Sequence, residues 1–155
     1  MKPKVLFLCT GNSCRSQMAE GWARHLHADA IDAYSAGVET HGLNPRAVAV
    51  MAEVGVDISR HHSKHLREFA DAAFDLVVTV CSAAHESCPV FSGAPRVVHA
   101  GFDDPPRLAA AARTEEEALG HYRRVRDEIR DFVKTLPDIP DASCTIRCFH
   151  ERNHS

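Results

Sequence analysis

Short apolar runs alternate with segments of helical periodicity along the first part of the chain. Val5–Leu8 is a continuous apolar run, typical of a strand that is buried on both faces. A turn over residues 10–13 follows, and apolar residues then recur at helical spacing at Met18, Ala19, Trp22, Ala23 and Leu26. Ile31–Ser35 alternates like a half-buried strand. The opening pattern therefore predicts a strand, a tight loop, a helix and a second strand.

The same alternation continues to about residue 106. Asn44 and Pro45 suit the cap and the first position of a helix, and Leu76–Val80 is the strongest strand signal because it is β-branched and unbroken. In chain order the pattern predicts a helix from Asn44-Pro45 to Gly55, a short helical segment over Leu66–Ala72, strands over Leu76–Val80 and Arg96–His99, and a loop over Gly101–Pro106.

The last long element is an amphipathic helix of about five to six turns. Thr114, with Glu117 three residues later, has the sequence of a capping box. Apolar residues then step by four and three along one face, at Ala118, Tyr122, Val125, Ile129, Phe132 and Leu136.

Strands that alternate with helices predict an α/β fold. We expect a single domain over residues 1–136, built on a four-stranded parallel sheet with helices on both faces. Residues 137–155 lose the helical period and are predicted to form a mobile C-terminal tail. Ligands of such sheets bind beyond the carboxyl ends of the strands, and both Cys9 and Cys81 fall there.

Composition and charge narrow the class of protein. The chain has 155 residues, 45% of them hydrophobic, and a net charge of -3, so it fits one soluble domain and offers no positive field for nucleic acid. The longest apolar run, Leu76–Ala84, is too short to span a bilayer, and Val5–Leu8 is too short for the core of a signal peptide. We expect a cytoplasmic monomer with no membrane or nucleic-acid partner.

Cysteine content supplies the main chemical clue. The chain has six cysteines, and in a reducing compartment such thiols tend to be catalytic, redox-active or metal-binding. They are Cys9, Cys14, Cys81, Cys88, Cys144 and Cys148.

Cys9–Ser16 has the composition of an oxyanion-binding loop. The five residues between Cys9 and Arg15 can turn their N–H groups around a tetrahedral anion, and the Arg15 guanidinium can bind two oxygens at once. The same positive field is expected to lower the pKa of Cys9 and make it a nucleophile, with Ser16 donating a hydrogen bond to its sulfur. The predicted anion-binding residues are Thr10, Gly11, Asn12, Ser13, Cys14 and Arg15. The alternative is an inert cysteine in a core turn.

The loop, with its strand before and helix after, resembles the phosphate-binding loop of the low-molecular-weight protein tyrosine phosphatase superfamily. Asp104-Pro105 resembles the late Asp-Pro of that family, and the similarity covers about residues 3–136. The resemblance implies that Asp104, rather than Asp103, is the general acid that protonates the leaving oxygen. Taken alone, two Asp before two Pro could simply form a turn.

A second thiol pair, Cys81 and Cys88, resembles the redox relay of the thioredoxin-coupled arsenate reductases that share this fold. The resemblance implies that Cys9 attacks arsenate, that Cys81 then displaces arsenite by forming a disulfide with Cys9, and that Cys88 takes over the bond to Cys81. Thioredoxin would reduce the final disulfide. This mechanism needs no cofactor and no resident metal.

Other functions stay open. A phosphatase is the alternative enzyme, although Pro106 stands where phosphotyrosine-specific members carry an aromatic residue. A thiol-based oxyanion or redox sensor would bind without turnover. Glutaredoxin or a small thiol could replace thioredoxin as the electron donor, and Cys81 and Cys88 could be inert core residues.

Some of these reductases carry a potassium site, which Asn12, Glu20 and Ser35 resemble, but Lys64 stands where an Asp is expected. We expect the Lys64 ammonium to take the place of the cation beside Glu20, unless both are solvated surface charges.

The remaining thiols and histidines give weaker signals. Cys14 could form a reversible disulfide with Cys9 or only fill space. Cys144 and Cys148, with two nearby His, have a spacing that favours an exposed tail over a zinc site. Of the clustered His61, His62 and His65, His62 could orient a loop group.

Overall fold

The computed structural model describes residues 2–81 and 95–136. Their centre is a parallel sheet of four strands in the order β2-β1-β3-β4. The predicted α/β class and the four-stranded parallel sheet are confirmed. The strands are β1 (Lys4–Cys9), β2 (Asp32–Gly37), β3 (Leu76–Thr79) and β4 (Arg96–His99).

Strand β1 is the centre of the core. Val5–Leu8 is almost completely buried although successive side chains point to opposite faces, so both faces of the sheet are covered at β1. The parallel register places Cys9 beside Gly37 of β2, and Leu8 beside Thr79 of β3. Cys9 and Cys81 therefore leave the sheet at the same edge, as the sequence predicts.

Five helical segments surround the sheet within the described residues. They are α1 (Arg15–Leu26), α2 (Pro45–Glu53), a 3-10 turn (Leu66–Phe69), α3 (Pro105–Ala109) and α4 (Glu115–Val133). Two expectations were wrong in detail. The loop predicted up to Pro106 ends at Asp104, because Pro105 and Pro106 occupy the first turn of α3, where proline is tolerated. Strand β2 runs from Asp32 to Gly37 rather than from Ile31 to Ser35.

Helix α2 begins and ends as its sequence predicts. The Asn44 side chain accepts hydrogen bonds from the N–H groups of Arg46 (2.8 Å) and Ala47 (3.2 Å). Gly55 has a φ of 81°, and its N–H donates to Ala52 O, while the N–H of Val56 donates to Met51 O. This is a Schellman motif, which requires the left-handed conformation that glycine adopts without strain.

Helix α4 packs its predicted face onto α1, α2 and α3. All six apolar residues of that face are buried, and the indole Nε1 of Trp22 in α1 donates to the carbonyl of Arg126 at 3.0 Å. The capping box is only half formed. Thr114 accepts from the Glu117 N–H, but the Glu117 carboxylate accepts from the N–H of Arg113.

Several expectations concern residues 82–94 and 137–155. Cys88, the predicted tail, and the Cys144 and Cys148 pair all lie outside the described residues. Within the described ranges, no helix combines the length and the apolar character needed to cross a bilayer.

The two helical glycines provide a matched pair for a stability test. A Cβ on Gly21 would lie 2.7 Å from Ile58 Cγ2, whereas a Cβ on exposed Gly120 would meet nothing within 4 Å. We expect Gly120→Ala to raise the free energy of unfolding by about 0.5–1 kcal/mol, because alanine is the better helix former. Gly21→Ala should lower it by about 1–3 kcal/mol through overpacking. Urea denaturation measures both, and equal effects of the two substitutions would contradict the packing around Gly21.

Candidate active site

The loop between β1 and α1 forms the floor of a cavity of about 320 Å³. Three segments contribute lining residues. The start of α3 contributes Asp104 and Pro106, and the segment after β2 contributes His41 and Asn44. The loop contributes Cys9, Thr10, Gly11, Ser13, Cys14 and Arg15. Five of the six predicted anion-binding residues thus line one cavity with Cys9, and Asn12 lies beneath it, fully buried.

The carbonyl groups of the loop all point away from the cavity, into hydrogen bonds with other segments. Backbone N–H groups of the segment after β2 supply most of the hydrogen-bond donors, and the side chains of Gln17 and Ser63 supply the rest. The bonds are Val38 N to Cys9 O (3.2 Å), Glu39 N to Thr10 O (2.9 Å), His41 N and Ser63 Oγ to Gly11 O (3.0 and 2.8 Å), Gln17 Nε2 to Asn12 O (3.2 Å), and Asn44 N to Ser13 O (3.0 Å).

These outward carbonyls fix the direction of the N–H groups. In a trans peptide the C=O of one residue and the N–H of the next point in opposite directions. The N–H groups of residues 10–14 are therefore turned toward Cys9 and the cavity. The result is a concave set of donors at the beginning of α1, which favours a bound anion.

Asn12 holds the turn together from beneath. It is the one non-glycine residue with positive φ (47°) in the described chain, a conformation that asparagine tolerates. Its Nδ2 donates to Ser16 Oγ (2.9 Å), and its Oδ1 accepts from Gln17 Nε2 (2.9 Å) and from the backbone N–H of Lys64 (2.7 Å). Every polar atom of this buried side chain is thus satisfied, which makes the loop rigid.

The prediction that the loop lowers the pKa of Cys9 is wrong for this structure. A hydrogen bond with the Cys81 thiol, together with burial, raises the pKa of Cys9 well above its ordinary value. Arg15 and the N–H of Thr10 act in the predicted, lowering direction, but their effect is smaller. The sequence shows that both cysteines end parallel strands, but it does not show that their sulfurs interact.

Ser16 does not make the predicted bond to Cys9. Its hydroxyl oxygen accepts the hydrogen bond from Asn12, and no hydrogen bond between Ser16 and Cys9 is present in the described part of the chain. Ser16 is fully buried and supports the loop through Asn12.

Cys81 lies directly above the loop. Its Sγ is 3.1 Å from Thr10 Oγ1, within hydrogen-bond distance, and its proximity raises the pKa of Cys9. Strand β3 delivers it there, because β3 pairs directly with β1. The structure therefore brings two of the three predicted redox cysteines together, and the third, Cys88, lies outside the described residues.

Arg15 is oriented toward the anion position by two contacts. Its Nη1 donates to the carbonyl of Phe102 (3.0 Å), and its Nη2 lies 3.8 Å from Asp104 Oδ1. The side chain is only 11% exposed, and its Nε is buried without a hydrogen-bond partner among the described residues. A buried donor without an acceptor is costly, by about 1–3 kcal/mol, and an oxyanion in the cavity would satisfy it.

The two neighbouring aspartates have different environments. Asp103 Oδ2 accepts from Arg124 Nη2 at 3.1 Å, so Asp103 is bound to helix α4. Asp104 caps α3 without a side-chain capping bond, lines the cavity, and is 42% exposed. Asp104 is therefore the carboxyl group that can reach a bound anion.

Glu20 forms a buried charge cluster behind the loop. It is 3% exposed, accepts from Ser35 Oγ at 2.6 Å, and pairs with Arg24 Nε at 2.9 Å. The Lys64 ammonium lies 3.8 Å from its Oε1, with the Lys64 side chain 14% exposed. The ammonium thus stands beside Glu20 as expected, and the alternative of two solvated surface charges is wrong.

Cys14 is buried at the start of α1, where burial raises its pKa far above the usual range. The pKa shift argues against a reactive thiolate at this position. Cys14 lines the same cavity as Cys9, and the reversible disulfide between them stays a prediction.

Several residues of the site gave no signal in the sequence. The His41 ring packs over Gly11, where an added Cβ would lie 2.3 Å from Nδ1, and its Nε2 is 2.6 Å from Glu39 Oε2. Gln17 lies inside a helix, and its bonds to Asn12 are visible only in three dimensions. The sequence did single out the clustered histidines, and they have three different roles. His61 hydrogen-bonds with Gln17, and His65 caps the 3-10 turn. His62 acts through its backbone carbonyl, which accepts from the side chains of Gln17 and Lys64.

Residues 4–139 match the family described as low molecular weight phosphotyrosine protein phosphatase, and the chain belongs to this family. It is 50% identical over 139 residues to the arsenate reductase of Bacillus subtilis, covering 89% of this chain and 98% of that protein. It is 49% identical over 137 residues to the arsenate reductase of Halalkalibacterium halodurans, covering 88% and 96%.

Solved structures of arsenate reductases and of a phosphatase match the fold of this chain. An arsenate reductase in the phosphate binding state matches with a TM-score of 0.74 and 34% identity, over 88% of this chain and 96% of that chain. A low molecular weight protein tyrosine phosphatase from T. tengcongensis matches with a TM-score of 0.68 and 28% identity, over 88% and 99%. The predicted family and its fold are confirmed.

The contact between the two thiols can be tested by chemical labelling. We expect Cys81→Ala to lower the pKa of Cys9, since the hydrogen bond with Cys81 is the largest cause that raises it. The pH at which Cys9 reaches half its maximal iodoacetamide reactivity, followed by peptide mass spectrometry, should therefore fall. Cys14→Ala is the matched control and should leave this midpoint unchanged. An unchanged midpoint in Cys81→Ala would refute the contact.

Proposed function

We propose that this protein reduces arsenate to arsenite through a thiol relay. The observation that carries the proposal is the Cys81 thiol, which lies beside Cys9 at the floor of an anion-binding cavity and raises the pKa of Cys9. Hydrolysis of a phosphoester needs only the first thiol, whereas a two-electron reduction needs a second one within reach. The sequence identity of 50% and 49% to the arsenate reductases of Bacillus subtilis and Halalkalibacterium halodurans also supports this proposal.

In the first step the Cys9 thiolate attacks arsenic. The N–H groups of residues 10–14 and the Arg15 guanidinium hold the arsenate oxygens. One arsenate hydroxyl, protonated by Asp104, leaves as water while the sulfur–arsenic bond forms. The thiol must lose its proton first, and its raised pKa implies that this step becomes faster as the pH rises.

In the second step Cys81 attacks the sulfur of Cys9. The sulfur–sulfur bond forms as the sulfur–arsenic bond breaks, and the bonding electron pair stays on arsenic, which leaves as arsenite. Two thiols have then been oxidised to a disulfide, and arsenic(V) has been reduced to arsenic(III). Thr10, whose hydroxyl is 3.1 Å from Cys81 Sγ, is placed to orient the attacking thiol.

Cys88 completes the proposed relay. Its thiolate attacks Cys81, which frees Cys9 and leaves a Cys81–Cys88 disulfide for thioredoxin to reduce. Glutaredoxin or a small thiol is the alternative donor. We infer that the protein works as a monomer in the cytoplasm, where such donors are reduced.

Phosphoester hydrolysis is a second candidate, because the anion-binding loop serves phosphate as well as arsenate. Pro106 lines the cavity directly after Asp104-Pro105 and offers no aromatic wall for a phosphotyrosine ring. We therefore infer a weak phosphatase activity beside the reductase activity. A sensor that binds an oxyanion without turnover stays the third alternative.

The relay predicts distinct behaviour for each cysteine variant. With thioredoxin, thioredoxin reductase and NADPH, we expect arsenate-dependent NADPH oxidation that is lost in Cys9→Ser, Cys81→Ser and Cys88→Ser. Cys88→Ser should still release at most one arsenite per enzyme, because the first disulfide can form without it. Cys144→Ser, in the predicted tail, is the control and should retain turnover.

Two outcomes would contradict the relay. Sustained turnover by Cys88→Ser would exclude Cys88 from it. Hydrolysis of a phosphatase substrate without any arsenate-driven oxidation would make the protein a phosphatase, with Cys81 and Cys88 as structural or regulatory thiols.

The two aspartates test the proposed general acid. We expect Asp104→Asn to reduce kcat for arsenate by about a hundred- to ten-thousandfold, because the departing oxygen loses its proton donor. Asp103→Asn should change kcat little, since Asp103 is bound to Arg124. The reverse order of effects in the same steady-state assay would assign the acid to Asp103.

The position of Lys64 predicts the response to potassium. Because its ammonium already stands beside Glu20, we expect the same Michaelis constant for arsenate in sodium chloride and in potassium chloride. Lys64→Asp should introduce a dependence on potassium, since it replaces the ammonium by a second carboxylate. A clear fall in the wild-type Michaelis constant on adding potassium would refute this arrangement.

A further inference from the structure

A second cavity, of about 330 Å³, lies behind the anion-binding loop. It shares no lining residue with the catalytic cavity. Its volume is within the range of small-ligand sites, about 300–1,000 Å³. The charged side chains in its lining are Glu20, Arg24, Arg60 and Lys64, and His61 lies among them.

This lining carries an excess of positive charge. The Glu20 carboxylate is already satisfied by Arg24 at 2.9 Å and by Ser35 at 2.6 Å. Lys64 lies farther from it, at 3.8 Å, and its ammonium donates to the carbonyl of His62. Arg60 makes no salt bridge within the described parts of the chain. The positive charge of the lining therefore exceeds the single carboxylate of Glu20, since Arg60 has no salt bridge among the described residues and Lys64 pairs with Glu20 only at 3.8 Å.

Burial disfavours the positive charge of Lys64. It lowers the pKa of Lys64, and the neighbouring Arg24 acts in the same direction, while Glu20 opposes both. Burial also lowers the pKa of His61, again opposed by Glu20. Asp57 and Glu68 accept from backbone N–H groups at 2.9 and 3.2 Å, and Asp32 accepts from the hydroxyl of Tyr34 at 3.2 Å. An anion in the cavity would stabilise the partly buried Lys64 ammonium together with the neighbouring Arg24 and Arg60, whose side chains are exposed.

Aromatic side chains form one wall. Tyr34 and Phe69 line the cavity and pack edge to face, with ring centroids 5.8 Å apart. The cavity thus combines a cationic side with an apolar side, an arrangement that suits an oxyanion carried on a small organic group as well as a free one.

We propose that this cavity is a second oxyanion site, which binds a phosphate group through Arg60 and Lys64, either as inorganic phosphate or on a small phosphate ester. The apolar wall of Tyr34 and Phe69 would contact the organic part of an ester.

The site is linked to the catalytic loop through residue 64. The backbone N–H of Lys64 donates to Asn12 Oδ1 at 2.7 Å, and its carbonyl accepts from the N–H of Gly37 at 2.8 Å. An anion that draws the Lys64 ammonium away from Glu20 would act on the same segment that supports the left-handed turn at Asn12. Occupancy of the site therefore modulates oxyanion binding at Cys9, an effect on turnover that rests on the proposed function.

Binding itself is tested without any arsenate reduction. We expect inorganic phosphate, titrated into ¹⁵N-labelled protein, to shift two groups of amide signals, one around residues 10–15 and one around residues 60–64. Arg15→Met should abolish the first group and keep the second. Arg60→Gln combined with Lys64→Gln should weaken the second site at least tenfold, and Arg67→Gln, an exposed arginine outside the cavity, is the matched control.

The outcomes separate this site from the reaction. The second site does not exist if the amide signals of residues 60–64 shift only together with those of residues 10–15 in the wild-type protein and do not shift in Arg15→Met. This outcome would leave the proposed reductase activity unaffected. If Arg15→Met fails to fold, the wild-type protein is compared with the Arg60/Lys64 double variant alone. A separate site predicts that the double variant loses the shifts of residues 60–64 and keeps those of residues 10–15. Tighter binding of phenyl phosphate than of inorganic phosphate at residues 60–64 would identify an ester as the ligand, and equal binding would identify the free anion.

Discussion

The site depends on one constraint, which is that the carbonyl groups of residues 9–13 are bonded away from the cavity. Peptide planarity then turns the following N–H groups inward, so the anion cradle exists before any anion binds. Unsatisfied, each buried carbonyl would cost about 1–3 kcal/mol, so the surrounding donors also stabilise the fold. The segment after β2, Gln17 and Ser63 are therefore part of the site, although only His41 and Asn44 of that segment line the cavity.

The same loop is supported from behind by a buried group of charges. Asn12 connects the two layers, since it bonds to Ser16 and Gln17 on one side and to the backbone of Lys64 on the other. Glu20 would be an uncompensated buried carboxylate without Arg24, Ser35 and Lys64. Its charge is balanced within the protein, and the positive excess around it is the feature that makes the second cavity suited to an anion.

Placing two thiols in contact has opposite effects on the two steps of the proposed relay. The hydrogen bond between Cys81 and Cys9 favours the protonated form of Cys9, which opposes the first attack, while Arg15 and the Thr10 N–H favour the thiolate. The same contact places the second nucleophile beside the sulfur it must attack. A bound oxyanion would satisfy the free Nε of Arg15, so substrate binding and the chemistry of the thiols are coupled through that side chain.

The α/β class, the four strands, the caps of α2, the apolar face of α4 and the loop at Cys9 are predictable from the amino-acid sequence, because each follows from local periodicity and local chemistry. The groups that meet across the sheet are not predictable in this way, because their contacts arise only when the chain folds. The pairing of β3 with β1 brings Cys81 to Cys9 and raises a pKa that the loop alone would lower. Asp103 is bound to Arg124 from a helix about twenty residues away, while Asp104 lines the cavity. Such contacts join residues far apart in the chain, and their distances depend on how the elements pack rather than on any pattern within one of them.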